Sequence, residues 1–384
     1  MPDASNSERR LRVLTLVDHL GASGGGERLA MEISKRLDPD RFEAIHCASR
    51  WHPDSQAEAM RAAADELRAA GVRVIGIGRE STAAVWSWAP LVRLLRRERV
   101  DVLHSHKFGS NVWGVVLGGL AGVPAVVAHE HTWSYEGQPL RRFLDRELIA
   151  RRSDAFVAVS HEDRRRMIEV ERIDPQDVVF VPNGIDALPD GDGARVRAEL
   201  DIEPGAPVIG AVAVLRPQKA LHLLVRAAAE LVREHPRLRV LIAGNGPERE
   251  TLEALVRELG LEGSVTLLGL RRDVPDLLAA LDVAVVSSDF EGTPLAVLEY
   301  MDAALPVVAT RVGGLPDLIE HGRHGLLVEP GDAGVLAGAI GTLLRDPERA
   351  RELGAHGRER RRAEFSIDRT VRTLEDMYVE LAGR

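Results

Sequence analysis

Cysteine is almost missing from this chain: Cys47 is the single one in 384 residues. No disulfide can close within the chain, so its stability has to come from burial, and a reducing compartment suits it. No secretory leader is expected either, because "MPDASNSERR" at the start is polar and charged with no apolar centre. No apolar run is long and unbroken enough for a membrane span. The best candidate, "VWGVVLGGLAGVPAVVA" at 112–128, is interrupted by glycines and Pro124 and predicts a buried helix, a turn and a strand. These absences predict a cytoplasmic protein. Positive charge is not in excess either: 50 Lys and Arg face 59 Asp and Glu, for a formal net charge of −9. That argues against a nucleic-acid partner. Finally, the glycine-rich stretch "GASGGGER" (21–28) is not a G-x-G-x-x-G fingerprint followed by an acid at the end of the next strand; "HCASR" stands there instead. This counts against a nicotinamide enzyme.

What is present is an alternation of β-rich runs and helical patterns, seen twice. "LRVLTLV", "FEAIHCAS", "GVRVIGIG", "VDVLHSH", "PAVVAHEH" and "DAFVAVS" form one series. "PVIGAVAVL", "RLRVLIAG", "SVTLLGL", "VAVVSS", "PVVAT" and "GLLVEP" form another. Nearly continuous apolar strands with helices between them predict parallel sheets covered on both faces. Between the series, residues 181–207 are rich in Pro, Gly and Asp and read as a linker. The expected division is 1–187 and 188–365, each a Rossmann-like doubly wound α/β domain. A last helix within 366–384 is expected to pack back on the first domain. Ligands in such sheets bind beyond the carboxyl ends of the strands.

"EGTPLAVLEY" (291–300) follows the strand "VAVVSS". Thr293 predicts an N-cap and Pro294 the first helical position. The free N–H groups of Leu295 and Ala296 would then form an anion site. Glu291 lies just ahead of that site and Glu299 about a turn and a half inside the helix. Carboxylates there suit sugar hydroxyls, from which they accept hydrogen bonds.

The pair of glutamates separated by seven residues resembles the E-x7-E motif of retaining glycosyltransferases of family four, which have the two-domain GT-B fold with a central cleft. "GGGER", "VPNGID", "RPQKA", "GNGPE" and "VGGLPDLIEHGRHGLLVEPGD" resemble that family's other motifs, in its order. The resemblance implies that a nucleotide-diphosphate-sugar is the donor and that the second domain binds it. It implies catalytic roles for Glu291 against the sugar, for His131 at the reaction centre (with His129 as the second choice), and for Lys219 on the leaving diphosphate. The family's arginine five residues before that lysine is Val214 here, so Arg216 is the expected substitute. The usual glycine after the lysine is Ala220. Donor and nucleotide contacts are expected from Glu299 at the ribose, from Thr293, Pro294 and Leu295 at the diphosphate, and from Asn245 and Val274. Gly25 and Gly26, opening a helix, would let backbone approach a phosphate.

The expected reaction moves a hexose-type sugar to an acceptor hydroxyl on a glycan, a lipid-linked carrier or a small molecule, with retention and without a metal or other cofactor. "LRRFLDRELIARRSD" (140–154) and "HEDRRRM" (161–167) gather arginines that could meet an anionic membrane surface. Two alternatives remain open at this stage: a nucleotide-sugar epimerase of the same fold, and a metal-dependent hydrolase. The second would use His104, His106, His129 and His131, which end two strand candidates as "HSH" and "HEH".

Overall fold

A computed structural model describes residues 9–21, 24–51, 58–79, 85–132 and 138–383. The polar start up to residue 8 and positions 22–23 of the first glycine stretch lie outside them. The chain divides into two compact units, Met1–Asn183 with Ile367–Arg384, and Gly184–Ser366. The crossing falls at Asn183–Gly184, slightly ahead of the expected boundary at 187.

The first unit runs β1 (Leu11–Val17), α1 (Gly25–Arg36), β2 (Phe42–Ala48), α2 (Glu58–Ala69), β3 (Arg73–Gly76), α3 (Ala89–Arg97), β4 (Val102–His106), α4 (Lys107–Ala121), β5 (Ala125–Glu130), α5 (Pro139–Leu144), a π-helical turn (Asp145–Ala150), β6 (Ala155–Ala158), α6 (His161–Glu169) and β7 (Val178–Phe180). Its seven strands are parallel in the order β3-β2-β1-β4-β5-β6-β7. The run at 112–128 resolves into the end of α4, a left-handed Gly122 that closes the helix, and the start of β5. Leu14, Leu16, Val102, Leu103 and Val127 are fully buried, as strands covered on both faces require.

The second unit runs α7 (Gly193–Glu199), β8 (Val208–Val212), α8 (Leu221–Glu234), β9 (Arg239–Ala243), α9 (Arg249–Glu258), β10 (Val265–Gly269), α10 (Val274–Ala279), β11 (Val283–Val286), α11 (Leu295–Asp302), β12 (Val307–Thr310), α12 (Leu315–Leu318), β13 (Gly325–Val328), α13 (Ala333–Arg345) and α14 (Pro347–Glu364). Its six parallel strands are ordered β10-β9-β8-β11-β12-β13. The expected linker at 181–207 is therefore not all linker. It contains α7, capped by Asp192, whose carboxylate accepts the Arg195 N–H. Arg195 also pairs with Asp273 and Asp276 on the α10 side. A Cβ on Gly193 would lie 2.2 Å from the Ala279 carbonyl oxygen, so the glycine permits the close packing of α7 on α10.

The last helix, α15 (Ile367–Ala382), belongs to the first unit. Glu375 accepts the Asp38 N–H at 2.7 Å, and Tyr378 packs edge-on against Phe42.

Candidate functional site

In the second unit the winding of the sheet reverses between β8 and its neighbour β11, the position where such sheets open a crevice at their carboxyl ends. Strand β11 runs out into Ser287 and Ser288. The Ser287 hydroxyl donates to the Lys219 carbonyl at 2.9 Å, and the Asp289 N–H donates to the Gln218 carbonyl at 2.9 Å. These bonds tie the basic loop after β8 to the loop after β11. Lys219 Nζ then donates to both oxygens of Glu291, at 2.6 and 2.8 Å, and the Ser288 hydroxyl donates to Oε1 at 2.6 Å. An ammonium carries three N–H groups. Two are used on Glu291, which leaves one for a ligand.

Backbone geometry fixes Glu291 as firmly as its side-chain bonds do. Its carbonyl accepts the Gly314 N–H at 3.2 Å. Gly313 has φ +50°, and a Cβ there would sit 1.7 Å from that same carbonyl oxygen. The glycines of "VGGLPD" thus brace the catalytic candidate from behind. Gly244 and Gly246 play a matching part for the other loop: Cβ atoms on them would meet the Ala213 and Leu215 carbonyls at 1.8 and 2.3 Å.

The helix after Glu291 begins one residue later than the sequence suggested. Pro294 is the N-cap, with extended backbone, and Leu295 is the first helical residue. Thr293 is buried ahead of the cap and does not serve as one. A proline ring that continues the extended path delays the helix, and a cap without a side-chain acceptor leaves the first N–H groups without a capping partner. Leu295 and Ala296 still form the first turn, as expected. Glu299 is buried, only 4% exposed, despite its charge. Beside it Tyr300, wholly buried, accepts the Val212 N–H on its hydroxyl at 2.6 Å. This bond pins α11 to the end of β8. Sequence reasoning gave Tyr300 no role; a tyrosine next to the second glutamate on an otherwise apolar helix is the signal for it.

The remaining donor-side candidates are less engaged. Arg216 is exposed, and among the described residues no carboxylate pairs with it. Asn245 is exposed and accepts a long bond from Arg249, at 3.4 Å. Val274, half-buried, opens α10. Ala220 has φ +44° and ψ +37°, a left-handed conformation that explains why glycine is usual there.

In the first unit, Gly25 is the first residue of α1. A Cβ on Gly26 would lie 3.0 Å from the His131 ring and 3.0 Å from Lys107 Cε. The space next to Gly26 is thus filled by the protein's own side chains, a use of the glycine that the sequence reading did not anticipate. Lys107 pairs with the buried Glu27. Sequence reasoning missed both. The available signal was scarcity: the chain has only three lysines, Lys35, Lys107 and Lys219, and Lys107 directly follows "HSH".

His104, His106 and His129 point from one face of the sheet, with His106 in register with His129. His104 Nε2 and His129 Nδ1 are 3.1 Å apart, His106 Nδ1 and His131 Nε2 3.0 Å apart. Within each pair the rings are near-coplanar, at 13° and 17° with centres 5.2 Å apart. One pair lies over the other, with His104 to His106 at 4.2 Å and His129 to His131 at 4.5 Å. Burial keeps the rings neutral: it brings His129 down to about 3, and it holds His104, His106 and His131 well below the usual range, helped by the neighbouring histidines. Ligand atoms of His104, His106 and His129 do lie within 4.8 Å of one another. Yet the paired nitrogens face each other across a hydrogen-bond distance. An ion in line between two of them would need about 4 Å, twice a metal–imidazole bond.

Residues 193–360 match the Glycosyl transferases group 1 family and residues 23–187 match Glycosyltransferase Family 4. A D-inositol 3-phosphate glycosyltransferase of Kineococcus radiotolerans is 35% identical, over 72% of this chain and 71% of that protein. The UDP-Gal:alpha-D-GlcNAc-diphosphoundecaprenol alpha-1,3-galactosyltransferase of Escherichia coli is 27% identical, over 76% of this chain and 78% of its own length. Among the relatives the matched share of the relative's length runs from 60% to 78%. Among solved structures, Anabaena HepE in complex with UDP-glucose is 24% identical with a TM-score of 0.82, covering 97% of this chain and all of that one. By these matches and its two Rossmann-like sheets, the chain belongs to glycosyltransferase family four, with the GT-B fold.

Proposed function

We propose that the protein transfers a hexose-type sugar from a UDP-sugar to an acceptor hydroxyl with retention of anomeric configuration, and that it needs no metal. The observation that carries this reading is the Lys219–Glu291–Ser288 cluster ahead of the first turn of α11, with Glu299 buried in the same helix. The diphosphate would lie at the N–H groups of Leu295 and Ala296 and take the remaining Lys219 donor, which stabilises the charge that develops on the leaving group. Glu291 is already held by Lys219 and Ser288. That engagement suits a carboxylate that steadies the sugar's hydroxyls and the positive charge on the reacting ring better than one that attacks it. The leaving phosphate would then take the acceptor's proton. Glu299 would hold the ribose. The epimerase and hydrolase alternatives do not survive the family assignment. The test is a thermal-shift panel of nucleotide-sugars, followed by NMR of the product. A UDP-hexose should raise the melting temperature by mass action, and the product should keep the donor's anomeric configuration. An inverted product would refute the mechanism.

A lipid-linked acceptor is favoured by one surface. Leu140 and Phe143 of α5 are 70% and 53% exposed, next to Arg142 and close to Arg146. The second arginine segment contributes less, because Arg165 and Arg166 are paired with Glu162 and Glu169 on their own helix. No helix among the described residues is long and apolar enough to cross a membrane, so contact would be peripheral. Sedimentation with vesicles rich in anionic lipid should fall for Phe143→Glu; equal sedimentation of the variant and the wild type would remove this surface from the proposal.

A further inference from the structure

The hydrogen atoms of the histidine layers can be placed from the relative strengths of their donors and acceptors. Tyr378, on α15, is fully buried, and its hydroxyl lies 2.5 Å from His104 Nδ1, the only partner it has among the described residues. His104 Nε2 meets His129 Nδ1, and His129 Nε2 is buried with no partner among the described residues. Two arrangements satisfy both contacts. In the first, Tyr378 O–H donates to His104 Nδ1, His104 Nε2–H donates to His129 Nδ1, and the proton of His129 sits on Nε2. That N–H and the acceptor capacity of the phenol oxygen are left unmatched. In the second, every bond runs the other way. His129 Nδ1–H donates to His104, and His104 Nδ1–H donates to the phenol oxygen. The phenol O–H and the Nε2 lone pair of His129 are then unmatched, so each arrangement leaves one donor and one acceptor over. What separates them is strength: a phenol O–H is a stronger donor than a neutral imidazole N–H, and an imidazole nitrogen is a better acceptor than a phenol oxygen, so the first arrangement prevails.

The outer pair has no such bias. Among the described residues, His106 Nε2 and His131 Nδ1 are both buried without a partner. Whichever ring donates across the 3.0 Å contact, one donor and one acceptor are left over.

We propose that Tyr378 is a positioning residue: its hydroxyl locks His104 and His129 with their protons on Nε2, leaving only the His106–His131 bond free to run in either direction, each ring neutral and carrying one proton. The locked pair is the rigid floor on which His131 stacks. His131 can therefore present Nδ1 to a substrate hydroxyl as donor or acceptor without disturbing the rings beneath it. The link to turnover rests on the reading that His131 lies at the reaction centre; the proton placement does not.

The experiment is nitrogen-15 NMR of the histidine rings in the full-length protein, with wild type and Tyr378→Phe compared, joined to steady-state kinetics. Phenylalanine keeps the ring packed on Phe42 and removes only the hydroxyl. In the wild type, Nδ1 of His104 and of His129 should appear unprotonated and Nε2 protonated. In the variant, both should show mixed tautomers, with kcat lower several-fold and the donor KM unchanged. A wild-type His104 protonated at Nδ1 overturns the proposal without any variant. So do unchanged tautomers in the variant, and so does a wild-type kcat beside altered tautomers. A protein that transfers no sugar at all would refute the functional reading, yet the ring nitrogens would still decide the proton placement.

Discussion

Replacing Lys219 with methionine should cost the unliganded protein stability, and the cost should depend on which partner of the pair is left behind. The Lys219 side chain is 20% exposed and that of Glu291 is 7% exposed. Lys219→Met strands a buried carboxylate that keeps only the Ser288 hydroxyl at 2.6 Å. Breaking a fully buried pair costs about 3–5 kcal/mol. Here the lysine's partial exposure and the surviving serine bond bring the expected loss to about 2 kcal/mol. Glu291→Gln leaves a lysine whose long stem can turn its charge toward water, so it should cost about 1 kcal/mol or less. The double variant removes the stranded charge and should recover about 1–2 kcal/mol relative to the sum of the single ones. Urea unfolding of the three variants reads this out. Additive single and double variants would refute the argument that Lys219 neutralises Glu291.

The same pair limits how separable the two glutamates of the motif can be. Glu299→Gln should weaken UDP binding and raise the donor KM, and Glu291→Gln should mainly lower kcat; calorimetry with UDP would show a modest change for Glu291→Gln as well, since Lys219 loses its anchor. Gly313→Ala drives a methyl group to 1.7 Å from the Glu291 carbonyl oxygen and should cost roughly 1–3 kcal/mol of stability along with most of the activity; a stable variant with wild-type turnover would contradict it. Tyr300→Phe leaves the Val212 N–H without its acceptor and should cost about 1–3 kcal/mol in thermal or urea unfolding. Asp145 is wholly buried and its oxygens have no hydrogen-bond partner among the described residues; burial first, then Glu171 and Glu130, against Arg141, push its carboxyl up to about 9. Its folded value lies above its unfolded value of about 4, so its contribution to stability is present below about pH 4 and is lost as the pH rises toward 9. Asp145→Asn should flatten that slope, which unfolding across the range would measure.

The fold was legible because its signal is repeated. The strands of two doubly wound sheets are nearly continuous apolar runs, and the punctuating glycines and prolines stand between them. What escaped was local and depended on partners remote in sequence. Helix α7 is short, and Asp273 and Asp276, which hold it by Arg195, lie far along the chain. The start of α11 was misplaced by one residue because Thr-Pro reads equally well as cap plus first turn or as extended residue plus cap. Periodicity does not distinguish these. Only the packing of Thr293 does.

The candidate site shows the same divide in a sharper form. The sequence motifs pointed to Lys219 and Glu291 as two agents, one for phosphate and one for sugar. Their bonds join them into one unit, with a shared charge balance and a single lysine N–H to spare. A motif records which groups are needed; it does not record which of them neutralise each other before a ligand arrives. The glycines carry that point further. Gly244, Gly246 and Gly313 suggest contact with a ligand when read in a string, yet the spaces where their side chains would stand are occupied by the carbonyls of Ala213, Leu215 and Glu291. They bring the loop that carries Lys219 and the loop that carries Glu291 against their neighbours. Their worth to catalysis is therefore positional: a methyl group on any one of them moves a charged side chain through the backbone behind it, without touching the donor.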